Sequence, residues 1–164
     1  MSRVVLDSSV VIALSALGYF DKLKDIFSEV LTPRAVYEEI CVKGRGLIGE
    51  RELSEAVNAG LVVVKDVKNR LLVNALLDPL ALGEAETIAL AVEENADYVV
   101  IDDKLARRRA KSMELNVIGT LRVLRLMYNA KLVDKKTFLK ALEKLKETGF
   151  RISDKVLSKV LEKL

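Results

Sequence analysis

Val4-Val5-Leu6-Asp7-Ser8-Ser9-Val10-Val11-Ile12 changes its period part-way through. Arg3 to Leu6 is a short, β-branched apolar run that reads as a strand buried on both faces. It stops at Asp7, and a helix begins at Ser8-Ser9 with Val11, Ile12 and Ala16 among its apolar positions. The same signals return at Tyr98-Val99-Val100-Ile101-Asp102-Asp103, a strand run ending on two aspartates before a helical stretch from Lys104 to Met113. Short continuous apolar runs alternating with helices mark βαβ units, so the fold class is α/β with a parallel sheet covered on both faces. Ligands and chemistry gather beyond the carboxyl ends of such strands, where Asp7 and Asp102 stand.

Working outward, the pattern predicts a helical stretch over Tyr19 to Phe27 and a short strand at Val30-Leu31. A helix from Pro33 to Val42 follows, with Thr32-Pro33 as cap and first residue and Gly44-Arg45-Gly46 as its stop. Ile48 to Ala59 is helical, Leu61 to Lys65 is a strand, and Asn69 to Leu77 and Gly83 to Glu94 are helices. After Asp103 come a short strand at Val117-Ile118 and a helix over Thr120 to Tyr128. The last third is helical: Phe138, Leu142 and Leu145 recur at helical spacing, Gly149 breaks the pattern and Ser153 caps a new helix. That helix carries an apolar stripe of Val156, Leu157, Val160, Leu161 and Leu164, expected to pack on the chain's own core in preference to docking a partner.

The chain has 164 residues, of which 51% are hydrophobic and 31% charged, enough for one domain with a sizeable core. There is no His, and Cys41 is the only cysteine. This excludes a Ser–His–Asp triad, an imidazole base, a His- or Cys-cluster zinc site and an internal disulfide. Chemistry must come from carboxylates, lysines or hydroxyls. A net charge of +3 implies nucleic-acid binding only if the cations cluster locally. One cysteine and no signal-peptide pattern lead to an expected cytoplasmic location. No apolar run approaches the length of a membrane span, so no membrane partner is expected. The absence of Gln and Trp, with abundant Lys, Glu and Leu, leans towards a thermophilic source.

Four acidic positions stand out by placement. Asp7 and Asp102 end strands of one parallel sheet, so their carboxylates can converge. Glu39 shares helical spacing with Val36 and Ile40, and Glu84 with Ile88 and Ala91, whereas Glu38 and Glu86 project elsewhere. Carboxylates drawn together repel unless a cation lies between them. An all-oxygen set suits a hard cation, Mg²⁺ or Mn²⁺, which holds phosphate oxygens and activates water for in-line phosphodiester attack. Each residue also has a plainer role open to it. Asp7, Asp102 or Asp103 could cap the helix that follows, Glu84 could sit on a helix dipole, and Glu39 could bond a neighbouring helix.

The ordered set Val4 to Ile12, Val36-Tyr37-Glu38-Glu39-Ile40, Leu82-Gly83-Glu84-Ala85-Glu86-Thr87-Ile88-Ala89-Leu90-Ala91 and Val100-Ile101-Asp102-Asp103-Lys104-Leu105-Ala106-Arg107 resembles PIN domains, the metal-dependent ribonuclease fold of VapC-type toxins. Ile118-Gly119-Thr120 and the tail segment Gly149-Phe150-Arg151-Ile152-Ser153 look most like an uncharacterised archaeal and bacterial PIN-like subgroup. The resemblance implies a three-layer α/β/α fold with a short central parallel sheet and a C-terminal helical hairpin. Residues 1–130 would form the catalytic domain, and 131–164 a helical extension packed on it. It also implies catalytic roles for Asp7, Glu39, Glu84 and Asp102, with the ion on Asp7, Glu84, Asp102 and Asp103 and support from Ser9 and Thr120. Two departures stand out. Val100 and Ile101 occupy positions where many members carry Thr or Ser, and the region of Asn116 and Thr120 lacks a further Asp that is often present.

Lys104, Arg107, Arg108, Arg109 and Lys111 cluster on the helix beside Asp102-Asp103. Such a cluster suits an RNA backbone entering a metal centre, although a solvated helix face has the same composition. The expected function is a metal-dependent ribonuclease. The resemblance adds the toxin of a toxin–antitoxin pair, a small antitoxin partner and a homodimer. The alternative is a non-catalytic PIN-like module that binds RNA or protein. A phospho-acceptor receiver domain fits poorly, because its acidic pair follows the first strand and here the pair follows the late one.

Overall fold

A computed structural model of the chain describes residues 2–150 and 152–162. Arg151 and Leu164, both named in the sequence reading, lie outside them. The strands are β1 (Arg3–Leu6), β2 (Glu29–Pro33), β3 (Val63–Lys65), β4 (Tyr98–Val100) and β5 (Val117–Ile118). They pair in the order β3-β2-β1-β4-β5, every pair parallel. Side-chain alternation sorts the core. Val5, Leu31, Val99 and Ile101 share one buried cluster with Ala85, Ile88, Ala89, Ala106 and Ala110. Val4, Leu6, Val30 and Val100 are also buried and alternate onto the opposite face.

The strand order reverses at β1. From there β2 lies on one side and β4 on the other, with Val5 opposite Val99 and Leu6 opposite Val100. Ligand crevices of open α/β sheets form beyond the carboxyl ends at such a switch. Asp7 and Asp102 follow the two strands that flank it.

The helices are α1 (Ser8–Leu17), α2 (Arg34–Tyr37), α3 (Glu50–Asn58), α4 (Arg70–Leu76), α5 (Leu82–Glu93), α6 (Lys104–Ser112), α7 (Thr120–Asn129), α8 (Lys135–Glu147) and α9 (Asp154–Glu162). The result is a three-layer α/β/α architecture, as the sequence led one to expect. Three local expectations need correction. The stretch after Gly18 is a 3₁₀ segment, Phe20–Asp25, shorter than the helix expected over Tyr19 to Phe27. Thr32 does not cap the next helix. It belongs to β2, and its hydroxyl donates to the Leu6 carbonyl at 2.9 Å. The helix that follows begins at Arg34 and widens into a π-helical turn over Glu38–Lys43 before Gly44.

The chain divides into two compact units, Met1–Thr120 and Leu121–Leu164. In the second, Phe138, Leu142 and Leu145 of α8 are buried, and Tyr128 meets Phe138 with ring centroids 5.5 Å apart. Ser153 caps α9, its hydroxyl accepting from the Val156 amide at 3.2 Å. Within α9 no residue is buried, and Val156 and Leu161 are 41% and 42% exposed. Among the described residues no helix is long and apolar enough to cross a membrane.

Candidate metal centre

Asp7 is placed by three backbone constraints. Its amide donates to the Val100 carbonyl at 3.2 Å, which extends the β1–β4 ladder by one residue. The Thr32 hydroxyl holds the carbonyl of Leu6 just before it. Its own carbonyl accepts from the Val11 amide at 3.4 Å and starts α1. Asp7 therefore occupies the N-cap position with extended backbone, yet its side chain makes no capping bond. The residue is 3% exposed, and its Oδ1 is buried with no hydrogen-bond partner. A buried acceptor without a donor costs about 1–3 kcal/mol, and more when charged. Burial pushes the Asp7 carboxyl up from the usual 3.8 to about 7. The Ser8 backbone amide opposes the rise, and the charges of Glu84, Glu39 and Asp102 add to it.

Gly83, near the start of α5, faces the same point. A Cβ there would lie 3.1 Å from Glu39 Oε2 and 4.0 Å from Asp7 Oδ1. Glycine leaves that space open, so oxygens from the first helix junction and from the widened turn border one gap. Glu84 sits beside it, half-buried, with Oε1 accepting from the Ala81 amide at 3.1 Å. Burial raises its carboxyl, opposed by that amide and reinforced by Asp103 and Glu39.

Asp102 has the opposite environment. Its Oδ1 accepts from the Thr120 amide at 2.8 Å, and its Oδ2 from the Thr120 hydroxyl at 2.6 Å. Thr120 is fully buried, so the clamp is fixed. Asp103 takes the capping role, accepting from the Ala106 amide at 2.9 Å at the head of α6.

The expected residues thus fall into three groups. Asp7, Glu39, Glu84 and Asp102 share one neighbourhood at the switch point, close enough for the last three to raise the Asp7 carboxyl. Asp103 lies near Glu84 but is engaged as a cap. Ser9 is exposed on α1, two residues after Asp7. Glu39 is exposed as a residue, yet its Oε2 and Val36 Cγ2 border the same space, 3.1 and 3.7 Å from where a Gly83 Cβ would stand. Among the described residues, no three His, Cys, Asp or Glu side chains are drawn close enough to grip an ion at once. The arrangement is a loose grouping, with Asp7 and Glu39 at the gap beside Gly83 and Asp102 beside Gly119, not a closed cage.

The residues nonetheless fit a hard divalent ion. The donors are all oxygen, one of them is orphaned and buried, and Gly83 keeps the space beside it clear. The family model DUF3368, PIN domain, matches residues 3–164. The chain belongs to the PIN-domain family. PIN folds are nuclease-type folds that generally use divalent metal ions, in keeping with the carboxylates gathered here. A domain of a functionally unknown protein from Methanocaldococcus jannaschii DSM 2661 is similar over 73% of this PIN domain and 91% of its own chain, at 18% identity and a TM-score of 0.49. No curated protein matches.

Two features of this PIN domain had no clear sequence signal. Glu86 is buried and braces the fold: Oε1 accepts from the Ala35 amide at 3.0 Å, and Oε2 pairs with Arg70 Nη1 at 2.8 Å. It ties α5 to α4 and to the start of α2. Gly119 is the second. A Cβ there would lie 3.0 Å from both Asp102 Oδ1 and Arg107 Nη1. On α6, Lys104 and Arg108 are exposed, Arg107 and Arg109 are half-buried, and none of the four forms an ion pair among the described residues.

Proposed function

We propose that this PIN domain is a divalent-metal-dependent endoribonuclease. The observation that carries the reading is Asp7 Oδ1: buried, unbonded and facing Glu39 across the space left by Gly83. Asp7, Glu39, Glu84 and Asp102 would hold Mg²⁺ or Mn²⁺, with Asp103 and Ser9 at the margin. When bound, such an ion neutralises phosphate oxygens and lowers the pKa of an attacking water. The chain's own residues do the rest. Thr120 orients the Asp102 carboxylate, and the Ala81 amide orients Glu84. The burial of Asp7 keeps bulk water from the orphaned oxygen, and the cations of α6 offer a path for the RNA backbone.

In the cell this reading makes the chain the toxin of a toxin–antitoxin pair, a cytoplasmic homodimer checked by a small antitoxin. A second reading is favoured by the Thr120 clamp, which occupies one acceptor site on each Asp102 oxygen. In that reading the chain is a non-catalytic module that binds RNA.

One experiment separates them. Purified wild type and Asp7→Asn are given a mixed pool of structured and single-stranded RNAs with Mn²⁺, Mg²⁺ or EDTA. The ribonuclease reading expects cleavage by wild type with metal only. Cleavage that survives in Asp7→Asn, or RNA left intact by folded, RNA-binding wild type, overturns it.

A further inference from the structure

Arg107 differs from its basic neighbours on α6. Its Nη1 donates to the Ile101 carbonyl at 2.9 Å, at the carboxyl end of β4. The same nitrogen lies 3.0 Å from the place a Gly119 Cβ would take, as does Asp102 Oδ1. Guanidinium and carboxylate therefore flank one small volume. They do not pair: no ion pair joins Arg107 to Asp102 or to any other acid among the described residues. Asp102 is instead engaged by Thr120. A guanidinium has five N–H donors, and among the described residues only Nη1 of this one is hydrogen-bonded.

A cation left unpaired beside a carboxylate is unusual unless another anion is meant for it. Its anchor also matters. A side chain pinned through one nitrogen gives up little conformational freedom on binding, whereas exposed Lys104 and Arg108 would have to be immobilised. Neighbouring carboxylates repel a polyanion, so an RNA phosphate approaching them needs a fixed positive group close by. An arginine fork suits a phosphate better than a lysine point charge.

We propose that Arg107 is the phosphate-binding residue of the site, gripping an RNA backbone phosphate beside Asp102, while Lys104, Arg108 and Arg109 act only as a diffuse attracting field. The proposal rests on the ribonuclease reading for its substrate, but its test does not depend on cleavage alone. Binding of a short fluorescein-labelled oligouridylate is followed by anisotropy in EDTA over a salt series. The proteins are wild type, Arg107→Gln, Arg107→Lys and Arg108→Gln, each checked by melting temperature. Arg107→Gln should weaken binding about tenfold and lower the slope of log affinity against log salt by about 0.7. Arg108→Gln should change affinity about twofold or less. Arg107→Lys should keep the salt slope but lower kcat with Mn²⁺ about tenfold, because the charge remains and the fork is lost. Wild-type binding by Arg107→Gln, or equal losses in Arg107→Gln and Arg108→Gln, would overturn the proposal. Cleaving wild type with an unaffected Arg107→Gln would leave the ribonuclease reading intact and remove Arg107 from it. RNA-binding wild type that never cleaves would remove the ribonuclease reading, while a binding loss confined to the Arg107 variants would still support the grip.

Discussion

Asp7 and Asp102 follow β1 and β4, the two strands at the sheet's switch point, and in sequence they look alike: an apolar run, an aspartate, a helix. Their surroundings are opposite. Asp102 has both oxygens engaged by Thr120, at 2.8 and 2.6 Å. Asp7 is 3% exposed, its Oδ1 lacks any donor, and burial pushes its carboxyl up to about 7. A carboxylate that the fold satisfies can be a prepositioned ligand or a plain structural acceptor. One with an oxygen that the fold buries and leaves without a donor has a ligand position free. In the proposed reading the weight of the site therefore lies at the β1 end, and the β4 end serves orientation.

The largest effect should come from removing the orphaned oxygen. Asp7→Asn is expected to reduce metal-dependent RNA cleavage by about a thousandfold or more, the several kcal/mol a metal centre supplies. Cleavage rates with saturating Mn²⁺ measure it. Less than a tenfold loss would break the contrast between the two aspartates.

The same substitution should stabilise the metal-free protein at alkaline pH. The folded chain holds the Asp7 proton up to about pH 7, while the unfolded chain releases it near 3.8. Folding therefore takes up a proton between these values. Wild-type stability falls as pH rises across that window and stays at the lower level above it. The loss is on the order of 2–4 kcal/mol. Melting in EDTA at about pH 5 and about pH 8 should show wild type weakening and Asp7→Asn changing little. Parallel curves for the two proteins would show that Asp7 is not the group responsible.

Thr120→Val tests the other end. It removes the hydroxyl donor to Asp102 Oδ2 and keeps the amide bond to Oδ1. The expected loss in metal affinity or activity is about 10- to 100-fold, as for partners that orient a ligand. An effect as large as that of Asp7→Asn would make the two strand ends equivalent. No effect would make Asp102 structural.

Gly83→Ala should have the smallest effect and the most telling sign. Alanine near the start of α5 favours the helix by up to about 1 kcal/mol. Its Cβ would stand 3.1 Å from Glu39 Oε2 and intrude on the gap. Metal affinity should fall several-fold while the metal-free melting temperature holds or rises. Unchanged affinity would mean that the gap beside Asp7 is not where the ion sits.

The sequence made the strands, the switch-point aspartates and Glu84 legible because each depends on local periodicity and on what a parallel sheet does with its carboxyl edge. It could not show which aspartate would be satisfied, since the Asp102 clamp comes from Thr120, eighteen residues on. The bracing role of Glu86 was hidden for the same reason: its partners Ala35 and Arg70 come from other helices. Gly83 and Gly119 stood out in sequence only as members of segments that resemble the family, and their value lies in how closely Glu39 and Arg107 approach them. Glu39 was found from its helical spacing to Val36, and its Oε2 borders the same space at Gly83 as Val36 Cγ2, although the helix widens into a π turn from Glu38.

The most direct test of the central claim is Mn²⁺ binding followed by calorimetry at about pH 8, with wild type and Asp7→Asn side by side. A site present in wild type and lost in Asp7→Asn, with both proteins folded, is the predicted result. Equal Mn²⁺ affinity in the two proteins would contradict the account, because the orphaned oxygen at the end of β1 would then have no part in holding the ion.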